Sequence, residues 1–96
     1  MICTNLKNAK VGDTIIGAFS AEGKPVSLHT ILRVEANGRI VVDIYNNHIE
    51  KTFTNRGTVV KQTTSDSHMN FVMRPFAPGE TLDGVKSTIT TQWWRQ

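Results

Sequence analysis

The sequence predicts a mainly β protein: an antiparallel meander curled into a small barrel, with a carboxy-terminal extension. Three observations predict it. Across residues 28–60, the segments LHTILRVE, RIVVDIY, HIEKTFT and TVVKQ alternate apolar and polar residues. The turn formers Ala36-Asn37-Gly38, Asn46-Asn47 and Asn55-Arg56-Gly57 separate those segments. No stretch shows sustained helical periodicity, apart from a short turn near residues 79–84.

The chain holds 96 residues, of which 39% are hydrophobic, enough for one small core. One domain is therefore expected over residues 1–96, with the meander at about 11–62 and the carboxy-terminal segment at about 66–96. Residues 11–19 read as a first strand, entered through the turn-like Lys10-Val11-Gly12-Asp13. Residues 21–25 form a loop, because Gly23 and Pro25 both interrupt strand pairing.

Register follows from turn length. A three-residue loop at Ala36-Asn37-Gly38, with Gly38 left-handed, sets Glu35 opposite Arg39, Val34 opposite Ile40, Leu32 opposite Val42 and Thr30 opposite Ile44. That choice gathers Leu28, Leu32, Val34, Ile40, Val42 and Ile44 on one face. A two-residue Asn37-Gly38 loop would move Ile40, Val42 and Ile44 to the face of Arg33 and Glu35, since a one-residue slip reverses the faces. The three-residue register is preferred.

The next two turns extend the same face. A two-residue turn at Asn46-Asn47 pairs Tyr45 with His48, Ile44 with Ile49 and Ile40 with Phe53. A second three-residue loop, Asn55-Arg56-Gly57, sets Phe53 against Val59. Residues 63–67 are polar and loop-like. Residues 69–76 then alternate Met69, Phe71 and Met73 on one side as a further strand, ended by Pro75, Pro78 and Gly79. Residues 85–94 are Thr-rich with good β-propensity and read as a final extended segment.

The order of Lys10 to Asp13, Thr30 to Val34, Ile40 to Val42, Phe53 and Gly57 resembles a group of short β-barrel proteins found in phages and prophages. In that group a Lys-Val-Gly-Asp opening precedes a Thr-Val-x-Arg-Val strand, an Ile/Val-rich strand and a Phe before a turn glycine. The resemblance covers roughly residues 10–60. It implies an SH3-like barrel and a mobile-element origin, and it assigns no functional residue.

Charge and chemistry narrow the function. The net charge is +3, and residues 1–65 hold eight Lys/Arg against five Asp/Glu, whereas residues 66–96 balance at three against three. The basic excess belongs to the meander, without a polybasic run. A single cysteine, Cys3, forms no internal disulfide, which fits a reducing compartment. With no apolar run of membrane-spanning length and no signal-like amino terminus, the expectation is a cytoplasmic protein, in the bacterial host if phage-encoded.

The derived register puts His29, Tyr45 and His48 on the outer face with Asp43 and Glu50, residue types that ligate divalent metals. They lack a ligand spacing motif, and the Tyr45 strand separates the two histidines. A solvated mixed-charge face is expected, with no metal and no cofactor. Cys3 has no basic neighbour to activate it, and neither a G-x-S-x-G elbow nor a phosphate loop is present. The chain does not read as an enzyme.

Binding residues are then sought among exposed cations and aromatics: Arg33, Arg39, Tyr45, His48, Arg56, Trp93, Trp94 and Arg95. Two functions are expected from them. The first is a phage-type protein that occupies the surface of a host protein, using Trp and Arg as anchors. The second is a nucleic-acid-binding barrel, in which Arg33, Arg39, Lys51, Arg56 and Lys61 line a groove and aromatics stack on bases. An exposed sheet edge would serve for a homo-oligomer.

Overall fold

A computed structural model describes residues 1–19, 24–44, 49–60 and 71–89. After a 3-10 turn at Leu6–Asn8 come β1 (Thr14–Phe19), β2 (Pro25–Val34), β3 (Ile40–Ile44), β4 (Ile49–Phe53), β5 (Phe71–Arg74) and α1 (Leu82–Thr88). The strands form one antiparallel sheet in the order β4-β3-β2-β1-β5. The architecture is mainly β and barrel-like, as expected. Among the described residues, no helix is long and apolar enough to cross a membrane.

The turns set the register as their chemistry requires. At the β2–β3 turn, Glu35 N donates to Arg39 O at 2.8 Å and Gly38 N to Glu35 O at 2.9 Å, with Gly38 at φ 89°. Val34 pairs with Ile40, as the three-residue loop demands. Ile44 pairs with Ile49, Asp43 with Glu50 and Ile40 with Phe53, although the Asn46-Asn47 turn itself lies outside the described residues. After β4, Thr54 N donates to Thr58 O at 2.7 Å, Gly57 sits at φ 92°, and Phe53 pairs with Val59.

That last turn also closes the sheet. Thr58 bridges to Val72 of β5 while Val59 bridges to Phe53 of β4, so two consecutive residues join the two edge strands. Each edge strand is thereby paired in part, β4 at Thr52 and Phe53 and β5 at Val72 and Met73.

One register expectation is corrected. Ile31, not Leu32, pairs with Val42, because a β-bulge interrupts β2 between Ile31 and Arg33. Ile31 therefore enters the first core with Ile15, Ile40, Val42, Phe53 and Met73. Leu32 is only half-buried, and Val34 is 41% exposed at the strand's end. The physical reason is that β2 serves two partners. Residues 25–30 pair with β1 and residues 31–34 with β3, and the bulge supplies the bend between them.

Both faces of β1 are buried. Ile15 points into the first core, while Ile16 and Ala18 join Phe76 and Val85 in a second, to which Leu28, Val72, Leu82 and Ile89 add. The buried positions of β2 are therefore the odd-numbered Ser27, His29 and Ile31, not the expected even-numbered set, and Leu28 packs against the second core. Fully burying one such aliphatic side chain stabilises by about 1.5–3 kcal/mol.

The final extended segment expected from residue 85 is also corrected. Residues 82–88 form α1, which covers the second core through Leu82, Val85 and Ile89 at helical spacing. Thr81 caps it, its Oγ1 accepting Gly84 N at 3.0 Å. Asp83 in the first turn and Lys86 in the last complement the helix dipole. Packing outweighs the β-propensity of the threonines here.

Cys3 is anchored rather than loose. Its N–H donates to Thr14 O at 2.8 Å, its carbonyl accepts Phe76 N at 2.8 Å, and its side chain lies in the first core.

Candidate functional site

The turns that set register also bring cations together. β2 and β4 run toward one end of the sheet, where β1 and β3 begin. At that end the two three-residue turns touch: a Cβ built on Gly38 would lie 3.4 Å from Asn55 Nδ2. Arg39 follows the first turn and Arg56 lies within the second, so the fold brings these two predicted residues to neighbouring turns.

Two further cations arrive from the amino terminus. A Cβ on Gly57 would lie 3.5 Å from Leu6 Cδ1, which sets the 3-10 turn that carries Lys7 against the turn that carries Arg56. The Lys10 to Asp13 turn is tied to β2 by Gly12 N donating to Ile31 O at 2.8 Å and Ile31 N to Asp13 O at 2.9 Å. Lys7, Lys10, Arg39 and Arg56 are all exposed, and among the described residues none forms an ion pair. The acidic groups at this end are Glu35 and Asp13, and Asp13 accepts the Lys10 backbone N–H at 3.2 Å. Val11, 67% exposed, and Val34 add apolar surface.

Lys7 and Lys10 do not stand out in the sequence as binding residues. Their separation along the chain conceals the juxtaposition, and only the Leu6 to Gly57 contact and the Gly12 to Ile31 hydrogen bond bring them to this end.

Arg33 is engaged differently. Its Nη2 donates to Glu50 Oε1 at 2.9 Å. Arg33 pairs with Val41 and Glu50 with Asp43, so the ion pair spans β3 on the outer face that carries buried Val41. The hydrogen bond and charge of Glu50 raise the Arg33 pKa, and those of Arg33 lower the Glu50 pKa. Tyr45, His48, Trp93, Trp94 and Arg95 lie outside the described residues, as do Lys61 and His68.

His29 does not lie on the outer face. With Ile31 turned inward by the bulge, His29 and Ser27 point the same way and are buried, at 7% and 2% exposure. Ser27 Oγ lies 2.6 Å from His29 Nε2, and His29 Nδ1 lies 2.8 Å from Asp43 O. A carbonyl only accepts, so Nδ1 carries the proton and Nε2 accepts from the serine hydroxyl. Burial lowers the His29 pKa, opposed by the hydrogen bond to the Asp43 carbonyl and by the Asp43 charge.

A hydroxyl bonded to an imidazole is the contact from which serine nucleophiles are activated. Here both side chains are buried, and the Asp43 carbonyl holds the imidazole Nδ1. Its evident work is to satisfy two buried polar side chains. Among the described residues, no group of three or more His, Cys, Asp or Glu side chains is placed to hold a metal. Asp43 instead accepts Thr30 N at 3.0 Å. Cys3, its pKa raised chiefly by burial, is a poor nucleophile.

Near α1, Arg74 grips Glu80 through Nη1 at 2.7 Å and Nη2 at 2.9 Å, and Glu80 also accepts Ala77 N at 2.7 Å. These bonds hold the Glu80 pKa down at about 2. Glu80 also lines a shallow cleft with Pro25, Thr81 and Gly84, but its charge is already matched. Comparison with protein-family models, curated proteins and solved structures finds no match to this chain.

Proposed function

We propose that this chain is a non-catalytic binding protein of phage or prophage type, which acts in the host cytoplasm by occupying the surface of a host protein. One observation carries the reading: neighbouring turns bring Arg39 and Arg56 to one end, where both are exposed and neither forms an ion pair among the described residues. The size is suitable. The molecule measures 33 × 30 × 25 Å, and one end of such a body is comparable with the roughly 800 Å² that a standard interface takes from each partner.

Nucleic-acid binding is the alternative reading and draws on the same cations, with Tyr45, Trp93 and Trp94, the aromatics expected to stack, lying outside the described residues. Phe53 and Phe76, aromatics with described side chains, are both buried. Exposed Val11 and Val34 beside the cations favour a protein partner at this end.

The test is capture from a bacterial lysate by the whole chain, with both protein and nucleic acid identified in the eluate. The expected result is one stoichiometric protein, lost from an Arg39→Ala/Arg56→Ala variant that still folds. Recovery of nothing specific, or of nucleic acid alone, counts against the reading.

A further inference from the structure

The geometry points to an acidic protein segment as the occupant of this end, lying across Lys7, Lys10, Arg39 and Arg56 with Val11 and Val34 as apolar contacts. This inference rests on the protein-binding reading above and identifies the chemistry of the partner.

The cations are mounted on ordered backbone. Arg39 N donates to Asn37 Oδ1 at 3.1 Å and its carbonyl accepts Glu35 N, so the peptide units on both sides of its Cα are held. Arg56 N donates to Thr54 Oγ1 at 3.2 Å, next to Gly57, whose backbone is wedged against β5. Fixed stems reduce the ordering cost of binding, and guanidinium groups recognise carboxylates in a bidentate fashion.

The rest of the patch favours a polypeptide over a polynucleotide. A phosphate chain presents charge at every residue and would meet Glu35 as well as the cations. A protein segment can set carboxylates against the four cations and neutral residues against Glu35 and Asp13. Val11 and Val34 would gain from aliphatic or aromatic partners, which a phosphate backbone does not offer. Charge complementarity with an apolar component therefore selects an acidic segment that also carries apolar residues.

The experiment is fluorescence anisotropy with the whole chain and three labelled probes: a peptide alternating Glu with Leu and Phe, the same composition with Gln for Glu, and oligo(dT). Saturable one-to-one binding of the acidic peptide is expected, weakening roughly tenfold between about 50 and 300 mM salt as surface charges are screened. Arg39→Glu/Arg56→Glu should reduce it at least tenfold, and Val34→Ser several-fold, with thermal melts showing that both variants fold. Tighter binding of oligo(dT), equal binding of the Gln peptide, or no loss on charge reversal would each overturn the inference. If the lysate partner is retained by a folded Arg39→Glu/Arg56→Glu variant, the acidic-segment inference fails while protein binding stands. If the lysate yields no protein partner, the broader reading fails with it.

Discussion

Gly57 and Met73 meet backbone to backbone. Met73 N donates to Gly57 O at 2.8 Å, and a Cβ on Gly57 would overlap the Met73 carbonyl oxygen. Through this contact the turn after β4 docks on β5, and the following residues Thr58 and Val59 bridge the two sheet edges. The same turn carries Arg56, so closing the sheet and presenting the cation are one structural event.

Gly57 and Gly38 allow a controlled comparison, since both adopt positive φ in three-residue turns, at 92° and 89°. A Cβ on Gly38 would meet only the Asn55 side chain at 3.4 Å, whereas on Gly57 it meets main chain. Gly38→Ala should cost about 1 kcal/mol, the usual left-handed penalty. Gly57→Ala should cost about 3 kcal/mol or more, because the turn must also part from β5. Urea denaturation of both variants checks this, and equal losses would show that the Gly57 contact is not structural.

The Arg74–Glu80 pair predicts acid lability. The folded pKa of Glu80, about 2, lies below its ordinary 4.5. Its stabilising contribution is therefore complete above pH 4.5 and is lost as pH falls from there through about 2. Solvent contact limits the contribution to about 1 kcal/mol. Glu80→Gln should lower stability at pH 7 and flatten the pH dependence between 4.5 and 2, as measured by thermal melts across that range. An unchanged slope would assign the acid sensitivity to other carboxylates.

The β2 bulge predicts opposite outcomes at adjacent residues. Ile31 is fully buried and Leu32 only partly so. Ile31→Ala should cost about 2–5 kcal/mol, as large-to-small core changes do, and Leu32→Ala about 1 kcal/mol. A larger loss at Leu32, measured by chemical denaturation, would restore the unbulged register.

The bulge also marks where sequence ceases to specify this fold. Turn chemistry is local, so Gly38, Gly57 and their hairpin partners are legible from a few neighbouring residues. In β2 both alternations are usable, one through Leu28 and Leu32 and the other through Ile31. Which face enters which core depends on β1 pairing and on α1, both distant in sequence. The helix is obscured for a related reason, because Leu82, Val85 and Ile89 gain their helical meaning only against Ile16 and Phe76. At the candidate site, Arg39 and Arg56 are legible as exposed turn residues. Lys7 and Lys10 require the tertiary contacts of Leu6 and Gly12.

The Ser27–His29 pair predicts a histidine that is harder to protonate than a free imidazole. Burial places its folded pKa below the ordinary 6.5, so the neutral imidazole contributes stability above pH 6.5 that is lost as pH falls through the folded value. Side-chain nitrogen NMR should find the Nδ1–H tautomer at pH 6.5, with Nε2 unprotonated and accepting from Ser27. Ser27→Ala removes that donor from the buried imidazole, at a cost of about 1–3 kcal/mol. Ser27→Thr keeps the hydroxyl but crowds a methyl beside Gly17, the cross-strand partner of Ser27. It should therefore preserve the tautomer while lowering stability. A protonated imidazole at pH 6.5, or a Ser27→Ala variant as stable as the parent, would show that the pair is open to solvent and that His29 belongs with the exposed residues after all.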